Sequence, residues 1–330
     1  MIPREIAATI VTEARGYPVI GVLGPRQSGK TTLVRALFPQ HHYANLEDPS
    51  QREFARIDPK GFLSSSKLPL IIDEFQRVPE LLSSIQVDVD QSNEPGRFIL
   101  TGSQSFLMME QISQSLAGRI TIHFLLPLSL SELASSPSAS PPLYEAIHRG
   151  FFPRLHVADL DPTRFYENYV MAYVDRDVRQ LRNVGNLGLF QRFLRAVAGR
   201  VGQPINLSSL GNDVGVNHNT AKAWIDVLEA GFVIHRLLPY YRNFNKQITK
   251  APKLYFRDTG LLCSLLGIAD SVQIGSHYLK GGIFENFVIQ ELAKWQRNRA
   301  SRESMYFWRD KRGREIDLLI GVGASTHAME

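Results

Sequence analysis

One cysteine, Cys263, stands in a chain of 330 residues. A lone thiol makes neither an internal disulfide nor a multi-thiolate zinc site, so a buried core must hold the fold and a reducing compartment fits best. Long apolar runs are missing too, since nothing approaches the roughly 18 consecutive apolar residues of a membrane span. The opening Met1-Ile2-Pro3-Arg4-Glu5 meets charge before an apolar run can develop, unlike a signal peptide. These absences lead to the expectation of a cytoplasmic protein. There is no large excess of one charge: 37 Lys and Arg against 32 Asp and Glu leave +5, which permits contact with nucleic acid without requiring it. Apolar residues at 44% and charged residues at 21% exclude a disordered, collagenous or coiled-coil chain. Length alone suggests about two domains, and no repeat at solenoid spacing is present.

The first 130 or so residues alternate short β-rich runs with helical patterns, the habit of a parallel sheet flanked by helices. Strands are expected at 19–23, 70–72, 98–100 and 120–126, each followed by a polar or Gly-rich turn, where such sheets bind ligands. A Ser/Pro/Ala stretch at 134–142 reads as a surface loop and closes the first domain. Helical patterns follow at 162–182 and 189–201. A helix-turn-helix pattern comes next: a helix at 207–213, a turn at Gly215-Val216-Asn217, a second helix at 220–229 and Gly231 at its end. Strands at 232–238 and 253–256 would supply a wing. The last part runs from a helix at 284–297 into a hairpin, 305–308 and 315–320.

Gly24-Pro25-Arg26-Gln27-Ser28-Gly29-Lys30-Thr31 has the form G-x-x-x-x-G-K-[ST], directly after a strand and before a helix. There, backbone N–H groups and the helix N-terminus surround phosphate oxygens, with Thr32 continuing into the helix. Lys30 reaches the β- and γ-phosphates, and the Thr31 hydroxyl meets Mg²⁺. Leu70-Ile71-Ile72-Asp73-Glu74 ends an apolar strand in two acids: Asp73 to hold Mg²⁺ and Glu74 to polarise the attacking water. ATP is the better expectation than GTP. Phe75-Gln76 follow the acids rather than x-Gly, and the only Asn-Lys, Asn245-Lys246, lacks the Asp of a guanine-reading motif. Thr101-Gly102-Ser103 is a polar strand end suited to sensing the γ-phosphate, with Ser103 the choice and Thr101 the alternative. Arg119, before the next strand, is placed like an arginine finger acting on a neighbour's nucleotide, which implies a homo-oligomer; an ordinary surface salt bridge is the competing reading.

With these pieces in order, the chain resembles the bacterial and archaeal AAA-type ATPases that carry a C-terminal domain of unknown function, number 4143. The resemblance rests on Gly24 to Thr31, on Leu70-Ile71-Ile72-Asp73-Glu74-Phe75-Gln76-Arg77-Val78-Pro79 and Leu100-Thr101-Gly102-Ser103, and on Leu116-Ala117-Gly118-Arg119 with Leu126-Pro127-Leu128-Ser129. It continues through Tyr173-Val174-Asp175-Arg176-Asp177-Val178, Tyr255-Phe256-Arg257-Asp258-Thr259-Gly260-Leu261 and Phe284-Glu285-Asn286-Phe287-Val288. It implies an α/β P-loop core over 1–133, a helical lid or connector over 143–188, a winged-helix-like region over 189–260 and a partial restriction-endonuclease-like segment over 261–330. The chain departs from the family pattern at Phe151-Phe152-Pro153-Arg154, where Gly before the aromatic and Glu after Pro are usual.

Between residues 232 and 257 lie Arg236, Arg242, Lys246, Lys250, Lys253 and Arg257, with Tyr240, Tyr241, Phe244, Tyr255 and Phe256 among them and no acid. Such a stretch beside a helix-turn-helix could track a DNA backbone, while Asn219, Thr220 and Lys222 could meet base edges or phosphates. A winged helix serves protein partners equally well, and Trp224 and Ile225 read as core. Nucleases of the restriction-endonuclease type hold Mg²⁺ with an acid on a helix, an Asp on a strand and an acid-x-Lys on the next. Glu285 and Asp317 match the first two. The acid-x-Lys is not reached by Glu330, so the expectation is a truncated version of a longer chain. Three readings therefore stand: an Mg²⁺-dependent ATPase acting on the C-terminal half, a nucleotide-switched DNA- or protein-binding regulator, and an ATP-coupled nuclease.

Overall fold

Five buried residues in succession, Val19–Leu23 (β1), are what a strand covered on both faces requires. In the computed structural model this strand lies inside a parallel sheet, flanked by Phe98–Gly102 (β4) and Ile120–Phe124 (β5). Beyond β4 come Leu70–Asp73 (β3) and His42–Asn45 (β2), giving the order β2-β3-β4-β1-β5. The structure describes residues 2–92, 94–103, 112, 114–135, 141–158, 160–173, 186–240, 251–301, 304–310, 312–322 and 325–330. The chain forms two compact units, the first running to Leu126 together with Arg297–Ser301, the second holding Pro127–Gln296 and Arg302–Glu330.

In the first unit, helices Ala7–Glu13 (α1), Lys30–Leu37 (α2), Pro49–Ile57 (α3), Pro59–Ser65 (α4) and Leu81–Ser92 (α5) accompany the sheet. Its core joins Ile6 and Ile10, Leu33 and Val34 of α2, and Ile20, Val22, Ile71 and Ile99 of the strands. Each such side chain contributes about 1.5–3 kcal/mol by leaving water. β2 was not foreseen: it reads His-Tyr-Ala-Asn, with His42 and Tyr43 exposed, so it carries no apolar run.

The second unit begins with short helices Leu130–Ala134 (α6), Leu143–Arg149 (α7) and Pro153–Val157 (α8), then Pro162–Tyr173 (α9). Next come Leu187–Ala198 (α10), Leu207–Val214 (α11) and His218–Ala230 (α12), and later Thr259–Leu265 (α13), Ser271–Ser276 (α14) and Lys280–Asn298 (α15). Gly215 ends α11 in the left-handed region, at φ 82°, and a Cβ on Gly211 would fall 2.5 Å from the Val216 carbonyl, so the tight turn into α12 requires a glycine there. Trp224 of α12 packs edge-on to Phe190 and Phe193 of α10, at 5.3 and 5.1 Å between ring centroids, as the core reading expected.

Strands Ile234–Pro239 (β6), Lys253–Phe256 (β7), Met305–Arg309 (β8), Glu315–Val322 (β9) and Ser325–Met329 (β10) make one mixed sheet, in the order β10-β9-β8-β6-β7. β6 and β7, expected from the sequence as a wing, thus share one sheet with strands of the segment expected from 261 onward. A two-stranded ribbon is marginal alone; here β6 also accepts β8 in parallel, pairing Leu238 with Tyr306 and Pro239 with Phe307. The outer edge of β7 is met by Gly202 N, which donates to Leu254 O at 3.0 Å, and by Asn286 of α15, whose side chain accepts from Phe256 N at 2.6 Å and donates to Phe256 O at 3.0 Å. Asp258 caps α13 at Leu261 N, 2.9 Å, and accepts from Phe151 N at 2.7 Å. A Cβ on Gly260 would lie 2.5 Å from the Tyr166 ring. These residues of the resemblance are therefore packing devices. No described helix is long and apolar enough to cross a membrane.

Part of the sequence reading lies outside the described residues: 174–178 of the Tyr173 motif, most of the 134–142 loop, Asn245, and Tyr241, Arg242, Phe244, Lys246 and Lys250 of the basic stretch.

Candidate functional site

Parallel register brings three polar strand ends together. Leu23 pairs with Gly102 across β1 and β4, and Ile72 with Leu100 across β3 and β4. The loop after β1, the Thr101–Ser103 tip and the Asp73–Glu74 acids thus lie at one carboxyl end of the sheet, the ligand side of such folds. β4, between the other two strands, delivers Thr101 and Ser103 to the acids.

Gly24 is pressed against the chain: a Cβ there would sit 2.2 Å from the Leu125 carbonyl. Gly29 takes φ 91° as the residue before α2, open to glycine at little cost. Pro25 and Ser28 are buried, Gln27 and Thr32 are exposed, and Arg26 pairs with Glu47 at 3.5 Å. Buried Arg4, which sequence reasoning did not single out, braces the loop by donating to Ser28 O at 2.8 Å and Leu126 O at 2.6 Å. Lys30 is buried and donates from Nζ to Gly24 O at 3.0 Å and Pro25 O at 2.9 Å.

Three hydroxyls converge on Asp73. Thr31 Oγ1 donates to both carboxylate oxygens at 3.1 and 2.9 Å, Tyr43 OH donates to Oδ2 at 2.7 Å, and Thr101 Oγ1 donates to Oδ1. Burial, reinforced by Asp73, raises the Tyr43 phenol above its ordinary 10.0. Glu74 has left-handed backbone, φ 55°, a costly conformation for a residue with a Cβ and one that clusters at working sites. Its Oε2 accepts from Ser103 Oγ at 3.1 Å and from Gln76 Nε2, which also donates to Ser103 Oγ at 2.9 Å. Tyr43 and Gln76 were missed: one lies on a strand without an apolar signal, the other in a short turn (Phe75–Arg77) without periodicity.

A nucleotide with Mg²⁺ fits this donor set on the chain's own features. The buried Ser28 Oγ has no hydrogen-bond partner among the described residues, and Gly24 leaves a cradle that a Cβ would fill. Thr31 and Asp73 offer hard oxygens, as Mg²⁺ prefers when it draws its other ligands from phosphate and water. Among the described residues no three His, Cys, Asp or Glu side chains form an all-protein metal cage.

The structure does not bring Arg119 to this loop. It precedes β5, at the amino end of the strand, whereas the phosphate loop follows the carboxyl end of β1. Its guanidinium donates through Nε and Nη2 to Asp90 of α5, the latter at 3.0 Å.

The basic stretch is largely neutralised where it is described. Arg236 pairs with Asp226 and, at 3.0 Å, with Glu229 of α12. Burial raises the Glu229 carboxyl, and Arg236 opposes that shift. Lys253, 3% exposed, meets Glu285 at 3.0 Å, Asp317 at 3.4 Å and Glu315. It therefore drops out of any DNA-facing surface, because its ammonium is committed to carboxylates distant in sequence. Burial would lower Lys253, but Glu315 and Glu285 overcome it, leaving it raised; burial raises Glu285, against the Tyr255 and Lys253 contacts. On α12, His218, Asn219 and Lys222 are exposed. Cys263 is buried, its thiol pushed up to about 12, and takes no part in either cluster.

Three family models match successive parts of the chain: an AAA domain over residues 16–134, a domain of unknown function (DUF8612) over 141–272 and another (DUF4143) over 280–330. Uncharacterized protein Rv2008c of Mycobacterium tuberculosis is 30% identical over 328 residues, covering 99% of this chain and 73% of that protein. Uncharacterized protein Mb2031c of Mycobacterium bovis matches to the same extent, again 30% over 328 residues. Among solved structures, the Walker-type ATPase paby2304 of Pyrococcus abyssi has a similar fold, with TM-score 0.54 and 17% identity over 80% of this chain and 96% of that one.

Proposed function

Because the chain belongs to the family of AAA-domain proteins with a C-terminal DUF4143, we propose that it is an Mg²⁺-dependent ATPase whose nucleotide state is relayed to its C-terminal half. The observation that carries this reading is Thr31, at the start of the helix after a G-x-x-x-x-G-K loop, hydrogen-bonded to Asp73 with Glu74 beside it. Loop N–H groups and Lys30 bind the phosphates, Lys30 exchanging the Gly24 and Pro25 carbonyls for phosphate oxygens. Mg²⁺, held by Thr31 and Asp73, would neutralise charge on the β- and γ-phosphates and fix them for in-line attack. Glu74 accepts the proton of the attacking water, and Ser103 responds to the γ-phosphate. Arg119 acts on the nucleotide of a neighbouring subunit, since its own loop is at the far end of the strand.

Within the second unit, α10 to α12 with β6 and β7 suit a winged-helix reading, and the mixed sheet with α15 suits a partial endonuclease-like one. The exposed His218, Asn219 and Lys222 favour a second reading, a nucleotide-switched regulator that contacts DNA through α12. The nuclease reading gains a lysine, since Lys253 joins Glu285 and Asp317, but that ammonium stands among the carboxylates where a cation would bind.

One experiment tests both supported readings: ATP turnover and binding at several protein concentrations, with and without DNA, across a salt series. Lys30→Ala is expected to abolish nucleotide binding, and Glu74→Gln to bind ATP without turning it over. Equal turnover by wild type and Glu74→Gln would remove Glu74 from its role. Turnover per subunit that rises with concentration supports Arg119 acting in trans. DNA affinity falling steeply with salt supports the regulator, and no DNA binding at low salt removes it.

A further inference from the structure

Gln76 has no role of its own in the ATPase reading above, yet its amide stands between Glu74 and Ser103. Both N–H bonds of Nε2 are committed, one to Glu74 Oε2 and one to Ser103 Oγ at 2.9 Å. The amide orientation follows from charge, since the flipped group would turn its carbonyl on a carboxylate. Gln76 Oε1 is then buried without a hydrogen-bond partner among the described residues, 2.9 Å from where a Cβ on Gly102 would lie. The arrangement is kept despite that orphaned acceptor, whose burial costs stability.

Ser103 has one proton to give. With no terminal phosphate to bind, it goes to Glu74 Oε2 at 3.1 Å, while the Ser103 oxygen accepts from Gln76. A γ-phosphoryl group at Ser103 competes for that same proton, and when it wins, Gln76 is the one described donor left on Oε2. We propose that Gln76 is a positioning residue that holds the Glu74 carboxylate by one oxygen when the γ-phosphate draws the Ser103 proton away, leaving the other oxygen free to accept a proton from water. A nucleoside diphosphate lacks the competing group, so the Glu74–Ser103–Gln76 triangle stays closed. The inference rests on the ATPase reading above and assigns its γ-phosphate response to this triangle.

The test is binding of ADP and of the non-hydrolysable β,γ-imido analogue of ATP, by calorimetry, to wild type and Gln76→Leu, with ATP turnover measured beside it. In the variant, triphosphate binding strips the carboxylate of its last described donor. Affinity for the analogue is therefore expected to fall about fivefold, a discounted charge-assisted hydrogen bond in a partly buried site, while ADP affinity stays within twofold. kcat is expected to fall at least about tenfold. In the Glu74→Gln background, which has no carboxylate to strip, the substitution should leave the analogue-to-ADP ratio unchanged. Gln76→Met must reproduce the Leu result with an unchanged melting curve, which separates positioning from misfolding. Equal loss of ADP and analogue affinity, or no change in either, overturns the proposal. Failure of the ATPase reading shows earlier and differently: wild type would bind neither nucleotide better than Lys30→Ala, which overturns both.

Discussion

Replacing Lys253 by Met keeps the length of the side chain and removes its charge from a position 3% exposed. Glu285, Glu315 and Asp317 are left facing one another without a cation. At 3.0 and 3.4 Å, and with an effective dielectric near 20, the Glu285 and Asp317 contacts each contribute about 5 kcal/mol of gross attraction. Most of that is offset by the cost of burying the ammonium, and Asp317, at 45% exposed, is screened by water. Removing one partner of a buried pair typically costs about 3–5 kcal/mol, so about 3 kcal/mol is expected here. The protein's three tryptophans, Trp224, Trp295 and Trp308, all fall in the second unit, so urea unfolding followed by their fluorescence reads that unit alone. Adding Glu285→Gln to Lys253→Met should recover part of the loss, because it removes one uncompensated charge. Burial already raises the Glu285 carboxyl against the pull of Lys253, and the single variant lacks that opposing ammonium, so its deficit should shrink as pH falls and Glu285 protonates. A loss under about 1 kcal/mol, or a double variant no more stable than the single, would refute the view that Lys253 holds this cluster together.

Two further outcomes follow from buried groups. Burial holds the His123 imidazole below its ordinary 6.5, with Glu13 only partly opposing. The unfolded chain therefore binds the proton more readily, and the stability of the neutral ring, complete above about pH 6.5, is lost as pH falls through the folded value; His123→Gln should flatten the fall in the urea midpoint between about pH 8 and pH 5.5, and an equal slope in the two proteins rejects the assignment. The Cys263 thiol, buried and pushed up to about 12, should ignore an aromatic disulfide reagent in the native protein and react fully in denaturant; rapid native labelling would count against the packing around α13.

What could be read in advance divides by range. β1, its loop and α2 are contiguous, and an apolar strand, a glycine turn and a hydroxyl after Lys30 carry their signal within some fifteen residues. The acids after β3 are local in the same way. Tyr43 was illegible because an edge strand reading His-Tyr-Ala-Asn looks like a loop, although its hydroxyl ends 2.7 Å from Asp73. Lys253 was misread for the opposite reason: a charge count sees six cations without an acid between residues 232 and 257, but not Glu285, Glu315 and Asp317, which only the folded sheet brings to it. Chain direction puts Arg119 at the opposite end of the sheet from its own phosphate loop, which sequence order alone does not display.

These contacts together make nucleotide binding largely an exchange. Lys30 must release two carbonyls, Asp73 is held by three hydroxyls, and Ser103 must turn from Glu74. Each swap of one hydrogen bond for another yields only about 1 kcal/mol net, so no single phosphate contact can open the site. Ser28 differs. Its buried Oγ has no partner among the described residues to give up, so a phosphate oxygen reaching it is a gain without a matching loss there. Anchoring should therefore come from the loop around Ser28, which di- and triphosphates can both use, whereas discrimination between them must come from the exchanging set at Glu74, Ser103 and Gln76. On the proposed ATPase reading, a site arranged in this way would hold the nucleotide by one group of residues and read its terminal phosphate by another, so that turnover would change the state of the protein without requiring the nucleotide to leave first.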